Sequence, residues 1–177
     1  SSPTVYVERS PKKGLGDLIT YGNGSGMQEL VRLARGMNIA GELEKSAHVE
    51  WEWVLKEDPE VVIRTMSSEG ALGWENDSSS DIPLLEETID EILSRPGGQS
   101  LTAARDQRIF VAYSDLFYGM ESVAGLAYLA KILHPEADLD PEGIFSEYLE
   151  RLGLELPAGR VFVYGMGDYG YSQGKAG

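Results

Sequence analysis

The sequence predicts an α/β fold: a three-layer sandwich with a mainly parallel central sheet. Three observations carry that prediction. Short runs of β-branched and aromatic residues alternate along the chain with longer segments of helical period. Pro and Gly stand as stops between most of them. The chain's 177 residues, 42% of them hydrophobic, are enough to bury one sizeable core and match about one domain by length.

The elements follow in order. Pro3 to Glu8 has strand composition and stops at the turn chemistry of Arg9 to Gly14. A Gly-rich loop is expected next, then a helix from Gly26 in which Met27, Leu30, Val31, Leu33 and Ala34 recur at helical spacing and Gly36 serves as stop. Trp51 to Glu57 reads as a short helix that must end before Pro59. Glu60 to Arg64 is short and β-branched, a buried strand. Met66 to Ser80 has no sustained period and reads as a loop. Asp81 can cap a helix with Pro83 in its first turn and Ile82, Leu85, Ile89, Ile92 and Leu93 on one face, ended by Pro96-Gly97-Gly98. Leu101 to Arg105 is a helical turn and Arg108 to Ala112 a further strand. Val123 to Leu133 makes a helix ended by His134-Pro135, and Asp140-Pro141 opens another that Gly153 stops. These elements assign residues 1–153 to the folded unit. From Leu154 a tail follows, in which Val161 to Tyr164 can form an edge strand and the Gly- and Tyr-rich remainder is expected to be mobile.

Composition excludes several classes of function. Twenty-nine acidic against fifteen basic residues give a net charge of −14, which repels a phosphate backbone, so no nucleic-acid partner is expected. The absence of Cys removes disulfides, thiolate nucleophiles and Cys-ligated metal centres. His48 and His134 are too far apart to form a helical His pair, so neither a metal nor a cofactor is expected. No run approaches the ~18 apolar residues of a membrane span.

Candidate chemistry is sparse. Gly22-Asn23-Gly24-Ser25-Gly26 before a helix invites a phosphate-site reading, but the spacing is not that of a dinucleotide fingerprint and no P-loop Lys follows. The carboxylates Glu86, Glu87, Asp90 and Glu91 read as a solvated helix face. Glu75, Asn76, Asp77, Ser79 and Asp81 offer oxygen ligands but lack the Gly and terminal Glu of a calcium loop. No nucleophile is paired with a base, so an enzyme is not expected. Tyr21, Trp74, Tyr113, Phe117 and Tyr118 are all expected in loops leaving one edge of the sheet, where a ligand crevice belongs.

Five segments, in order, resemble the carboxy-terminal lobe of the solute-binding proteins that serve iron-siderophore, haem and vitamin B12 ABC importers. They are Val5-Tyr6-Val7-Glu8, the run from Glu29 to Ala40 with Asn38-Ile39-Ala40 at its end, and the run from Glu52 to Ile63 containing Asp58-Pro59-Glu60-Val61. Ala103 to Phe110 and Leu129 to Glu136 complete the set. Arg35-Gly36 departs from the family's two small residues, and Trp51 and Trp53 flank Glu52 where polar residues are usual.

The resemblance covers roughly residues 5 to 150. It implies a single lobe of a bilobal binding protein, with the amino-terminal lobe and the helix joining the two missing from this chain. It further implies an extracytoplasmic location, membrane anchoring of the full-length protein, a metal-chelate or macrocycle ligand held between lobes, and ABC permease transmembrane subunits as partners. In this family a carboxylate on each lobe docks on permease arginines, and Glu52 is the matching residue. Ligand residues do not transfer by motif; by position the candidates are Tyr21, Trp74, Tyr113, Phe117, Tyr118 and Arg64. Arg64 can meet a ligand carboxylate or belong to a buried salt bridge, and a haem ligand would draw its axial group from the tyrosines. The alternatives are a flavodoxin-like enzyme or phosphate-binding domain using the Gly22 to Gly26 loop, and a stand-alone dimerising interaction domain.

Overall fold

Strand β1 (Thr4–Arg9) opens the sheet, and its Val5 to Glu8 are buried although neighbouring side chains point to opposite faces. A strand buried on both sides belongs at the centre of a layered α/β fold. The computed structural model describes residues 2–9, 14–67, 72–75 and 82–167. In chain order the further elements are β2 (Leu18–Tyr21), α1 (Gly26–Leu33), β3 (Met37–Asn38), β4 (Ser46–Val49), α2 (Trp51–Glu57) and β5 (Val61–Met66). They continue with α3 (Ile82–Ser94), α4 (Thr102–Arg105), β6 (Ile109–Tyr113), α5 (Ser122–Leu133), α6 (Pro141–Arg151) and β7 (Val163–Gly165).

The strand order is β4-β2-β1-β5-β6-β7, with β3 also paired to β1. Strands β1, β5 and β6 run parallel, with Glu8 opposite Arg64 and Arg64 opposite Val111. Strand β2 is antiparallel to β1 and β4 antiparallel to β2, so β4 points the same way as the centre; β7 closes the other edge antiparallel to β6. Helices cover both faces of this mainly parallel sheet.

Local chemistry fixes the joints. Ser25 caps α1 by accepting from Gln28 N, and Asp140 caps α6 by accepting from Gly143 N. Asp58 ends α2 in the left-handed region, and its carboxylate accepts from Thr102 N at 2.7 Å and Thr102 Oγ1 at 2.8 Å. Glu60 accepts from Thr4 N at 2.8 Å, which locks the register of β5 on β1. Buried Asn38 donates to Tyr21 O at 2.6 Å and to Gln28 Oε1 at 2.7 Å, so one carboxamide joins β3 to β2 and α1.

Two four-residue strands stand outside the elements that the sequence predicts. Leu18–Tyr21 lies inside the expected Gly-rich loop, and Ser46–Val49 precedes α2 with alternating exposure. Each is four residues long, too short to outweigh its surroundings in sequence; pairing with a neighbouring strand makes them. Beyond residue 153, Val161, Phe162 and Val163 are buried in the same core as the central strands. Asn76, Asp77, Ser79 and the cap residue Asp81 lie outside the described residues, as does the tail from residue 168.

Candidate functional site: a cleft at the carboxyl end of the sheet

The central strands end side by side, and their last residues form one wall of a cleft of about 420 Å³. Arg9 comes from β1, Thr65 and Ser67 from β5 and just beyond it, and Ser114, Asp115 and Tyr118 from the turns after β6, while Ile19 and Tyr21 enter from β2. This is the end of an open α/β sheet at which ligands bind.

Within the cleft Arg9 lies over the Tyr21 ring, 5.8 Å from its centroid, and stays solvent-exposed. The Tyr21 hydroxyl shares a 3.3 Å hydrogen bond with Thr65 Oγ1, which in turn donates to Glu8 O at 3.3 Å. The Tyr118 ring is 45% exposed. Burial of its hydroxyl, the adjacent Tyr21 hydroxyl and Asp115 hold that phenol above its ordinary range, against the pull of Arg9, so it is a hydrogen-bond donor and not a phenolate. A guanidinium, two phenols and three aliphatic hydroxyls therefore line the cleft, with Asp115 as the one acid among the lining residues; the Thr65 proton goes to Glu8 O and the Ser114 proton to Asp115 Oδ1, so Arg9 is the cleft's principal donor.

The other expected ligand residues fall elsewhere. Trp74 is half-buried, edge-on to Phe145 and Phe162 at 5.8 and 5.3 Å, and its Nε1 donates to Glu121 Oε1 at 3.0 Å. Burial and Asp115 raise the Glu121 carboxyl above the usual range although the Trp74 bond opposes them. Tyr113 is buried at the end of β6 and donates to Asp115 Oδ2 at 3.2 Å, one step behind the cleft wall. Phe117 is 2% exposed and belongs to the core, because the turn over Ser114–Phe117 folds it inward. Tyr21 is the last residue of a strand and not part of a loop.

Arg64 takes the salt-bridge alternative. It is 5% exposed, contacts the Glu8 carboxylate on β1 and donates to Glu91 Oε2 at 2.9 Å. Sequence reasoning missed Arg9, which reads as turn chemistry. Strand alternation holds the signal: Arg9 follows Glu8, so the two point to opposite faces.

Glu52 is exposed in the first turn of α2. Because β4 points the same way as β1, the chain enters α2 at the carboxyl end of the sheet, so Glu52 and the cleft share one end of the molecule. The Gly22 to Gly26 loop is spent on the fold. Gly22 N donates to Lys45 O, Asn23 N to Leu43 O and Ser25 N to Gly22 O, while the Gln28 amide is capped by Ser25. Three loop amides and the third amide of the helix are thus engaged within the chain, which weakens a phosphate reading.

An open α/β layer with helices on both faces and a polar, aromatic cleft at the carboxyl ends of its strands is the architecture of a single lobe of a binding-protein fold. The periplasmic binding protein family model matches residues 1–116, and the chain belongs to that family. Its fold is shared by a TroA-like periplasmic binding protein, FepB, from Veillonella parvula, with a TM-score of 0.74 and 23% identity over 94% of this chain and 49% of that one. A periplasmic heme binding protein from Pseudomonas aeruginosa aligns with a TM-score of 0.57 and 22% identity over 78% of this chain and 45% of its own. The molybdate periplasmic binding protein MolA of Haemophilus influenzae aligns with a TM-score of 0.61 and 21% identity, over 88% and 43%. The chain thus spans about half the length of these relatives or less. No curated protein sequence matches it.

Proposed function

We propose that this chain is the carboxy-terminal lobe of the solute-binding component of an ABC importer, and that its ligand is an iron chelate, haem or a cobalamin-type macrocycle. Arg9, Tyr21 and Tyr118 are the residues that meet the ligand, Tyr113 holds the cleft residue Asp115 from behind, and Glu52 docks on basic residues of the permease. The protein works outside the cytoplasm, and its ligand site is completed by a second lobe. The observation that supports this best is the cleft itself: a guanidinium, hydroxyls and aromatic faces gathered where the parallel strands end, in a chain of this family. A large chelate needs broad aromatic contact with a few oriented polar groups, which these residues supply. An exposed carboxylate at the same end suits docking, since such charges set orientation and association rate.

The test is ultraviolet-visible titration with ferric desferrioxamine, haemin and cyanocobalamin, with and without a supplied amino-terminal lobe. Saturable binding of one of them that Arg9→Ala weakens is the expected result. No binding of any of the three in either format would remove the chelate reading.

A further inference from the structure

Beneath the cleft lies a charged cluster that solute binding does not require. Glu8, Arg64 and Arg95 are each at most 5% exposed. Arg95 forks onto Glu8 with bonds of 2.8 and 2.9 Å and onto Glu91 with two of 2.9 Å, while Arg64 reaches both acids. Two guanidinium groups thus balance two carboxylates. Burial works against the Arg95 charge, but its bonds to Glu8 and Glu91 prevail and raise its pKa. A buried ion cluster rarely exceeds packed apolar residues in stability, so its form calls for another account. Among the described residues Arg64 Nε is buried without a hydrogen-bond partner, which a purely stabilising arrangement would avoid.

The cluster reaches α2 on one side. The Arg95 guanidinium lies 4.8 Å over the ring of Trp51, which is 1% exposed and opens α2 one residue before Glu52. Trp51 is itself held by Nε1 donating to Pro96 O at 2.8 Å and by its amide donating to Leu15 O at 2.9 Å. On the other side the cluster reaches the cleft, because Glu8 is followed by Arg9 and its carbonyl accepts from Thr65, the hydroxyl partner of Tyr21. Successive strand residues project to opposite faces, so any roll of β1 that moves Glu8 swings Arg9 the other way.

We propose that Glu8 and Arg95 are positioning residues that tie the first turn of α2 to Arg9, so that the seat of the helix carrying Glu52 sets the direction of Arg9 in the cleft. This deepens the cleft reading above and rests on it for its meaning in ligand binding, while the positioning itself is measured without ligand. Bidentate forks transmit orientation as well as charge, which a Lys in the same place would not.

The test is the proton–nitrogen correlation spectrum of the arginine side chains, with the Arg9 Nε–H signal assigned through Arg9→Lys. Arg95→Lys and Trp51→Phe should each shift that signal and the Tyr21 and Tyr118 ring signals in a protein that still melts cooperatively. Arg108→Lys, which alters a side chain bonded to the Ile132 and Leu133 carbonyls far along the chain, should leave them in place. An unmoved Arg9 signal in the folded variants would overturn the proposal, and Trp51→Phe decides if Arg95→Lys fails to fold. In ferric desferrioxamine titration the same variants should lose about tenfold in affinity, the effect of one misdirected charged contact. If the Arg9 signal shifts but the parent chain binds none of the three chelates, the positioning stands and the ligand reading falls.

Discussion

Arg9 and Arg64 stand on neighbouring strands, one register step apart, since Glu8 faces Arg64 and Arg9 faces Thr65. Their surroundings have nothing in common. Arg64 points to the α3 face, where two carboxylates consume its charge, whereas Arg9 points to the opposite face, where the Tyr21 ring is its contact among the described residues and the side chain is exposed. One residue type at one sheet end therefore serves two purposes, and the pleat decides which.

Breaking the buried side should have the largest effect. Arg95→Leu leaves Glu8 and Glu91 short of a cation, and urea unfolding should record a loss of about 3–5 kcal/mol. A loss below about 1 kcal/mol would show that packing and not pairing holds α3 to the sheet. Next comes the hinge that aims Tyr21. A Cβ on Gly22 would meet Glu44 O at 2.1 Å, so Gly22→Ala must displace the backbone; a thermal melt should show a loss of about 1–3 kcal/mol.

Acid separates the two sides by sign. Burial works against the Glu91 charge, but its bonds to Arg95 and Arg64 win and hold its pKa below the ordinary 4.5. Its contribution is thus complete above that value and is lost as pH falls through the lower folded pKa. The Glu121 carboxyl beside the cleft is raised, so its contribution is present below the ordinary value and is lost as pH rises through the folded one. Urea midpoints measured from acid to neutral pH should rise less steeply in Glu91→Gln and more steeply in Glu121→Gln than in the parent. The smallest stability effect belongs to Arg9→Ala, within about 0.5 kcal/mol because the side chain is exposed. A loss as large as that of Arg64→Ala would erase the contrast between the two arginines.

The sequence reveals the layers more readily than the site. Helices such as Ile82–Ser94 and Pro141–Arg151 repeat their apolar residues often enough to be read, and caps or prolines mark their ends. The strands Leu18–Tyr21 and Ser46–Val49 escape because four residues carry little periodic signal and depend on a partner far along the chain. The site is harder for the same reason. Tyr21, Tyr118 and Arg64 stand out by type and position, but whether each faces solvent or a partner depends on pairings between residues as distant as Arg64 and Glu91. Phe117 and Tyr118 are adjacent and alike in sequence, yet one is 2% and the other 45% exposed.

The Asn38 carboxamide bears on how the cleft wall around Tyr21 is held. One edge of β1 is split between β2 near its end and β3 near its start, and Asn38 bridges the gap by holding the Tyr21 carbonyl and Gln28 from the last position of β3. The outer pair β2 and β4 is fastened to the parallel core by this splice, by the pairing of β2 with β1, by Thr20 Oγ1 donating to Val7 O at 2.7 Å and by the Tyr21–Thr65 hydroxyl pair. The wall of the cleft that carries Tyr21 thus takes its position from three strands at once, and a change in the seat of β2 is felt at Asn38, Val7 and Thr65 together.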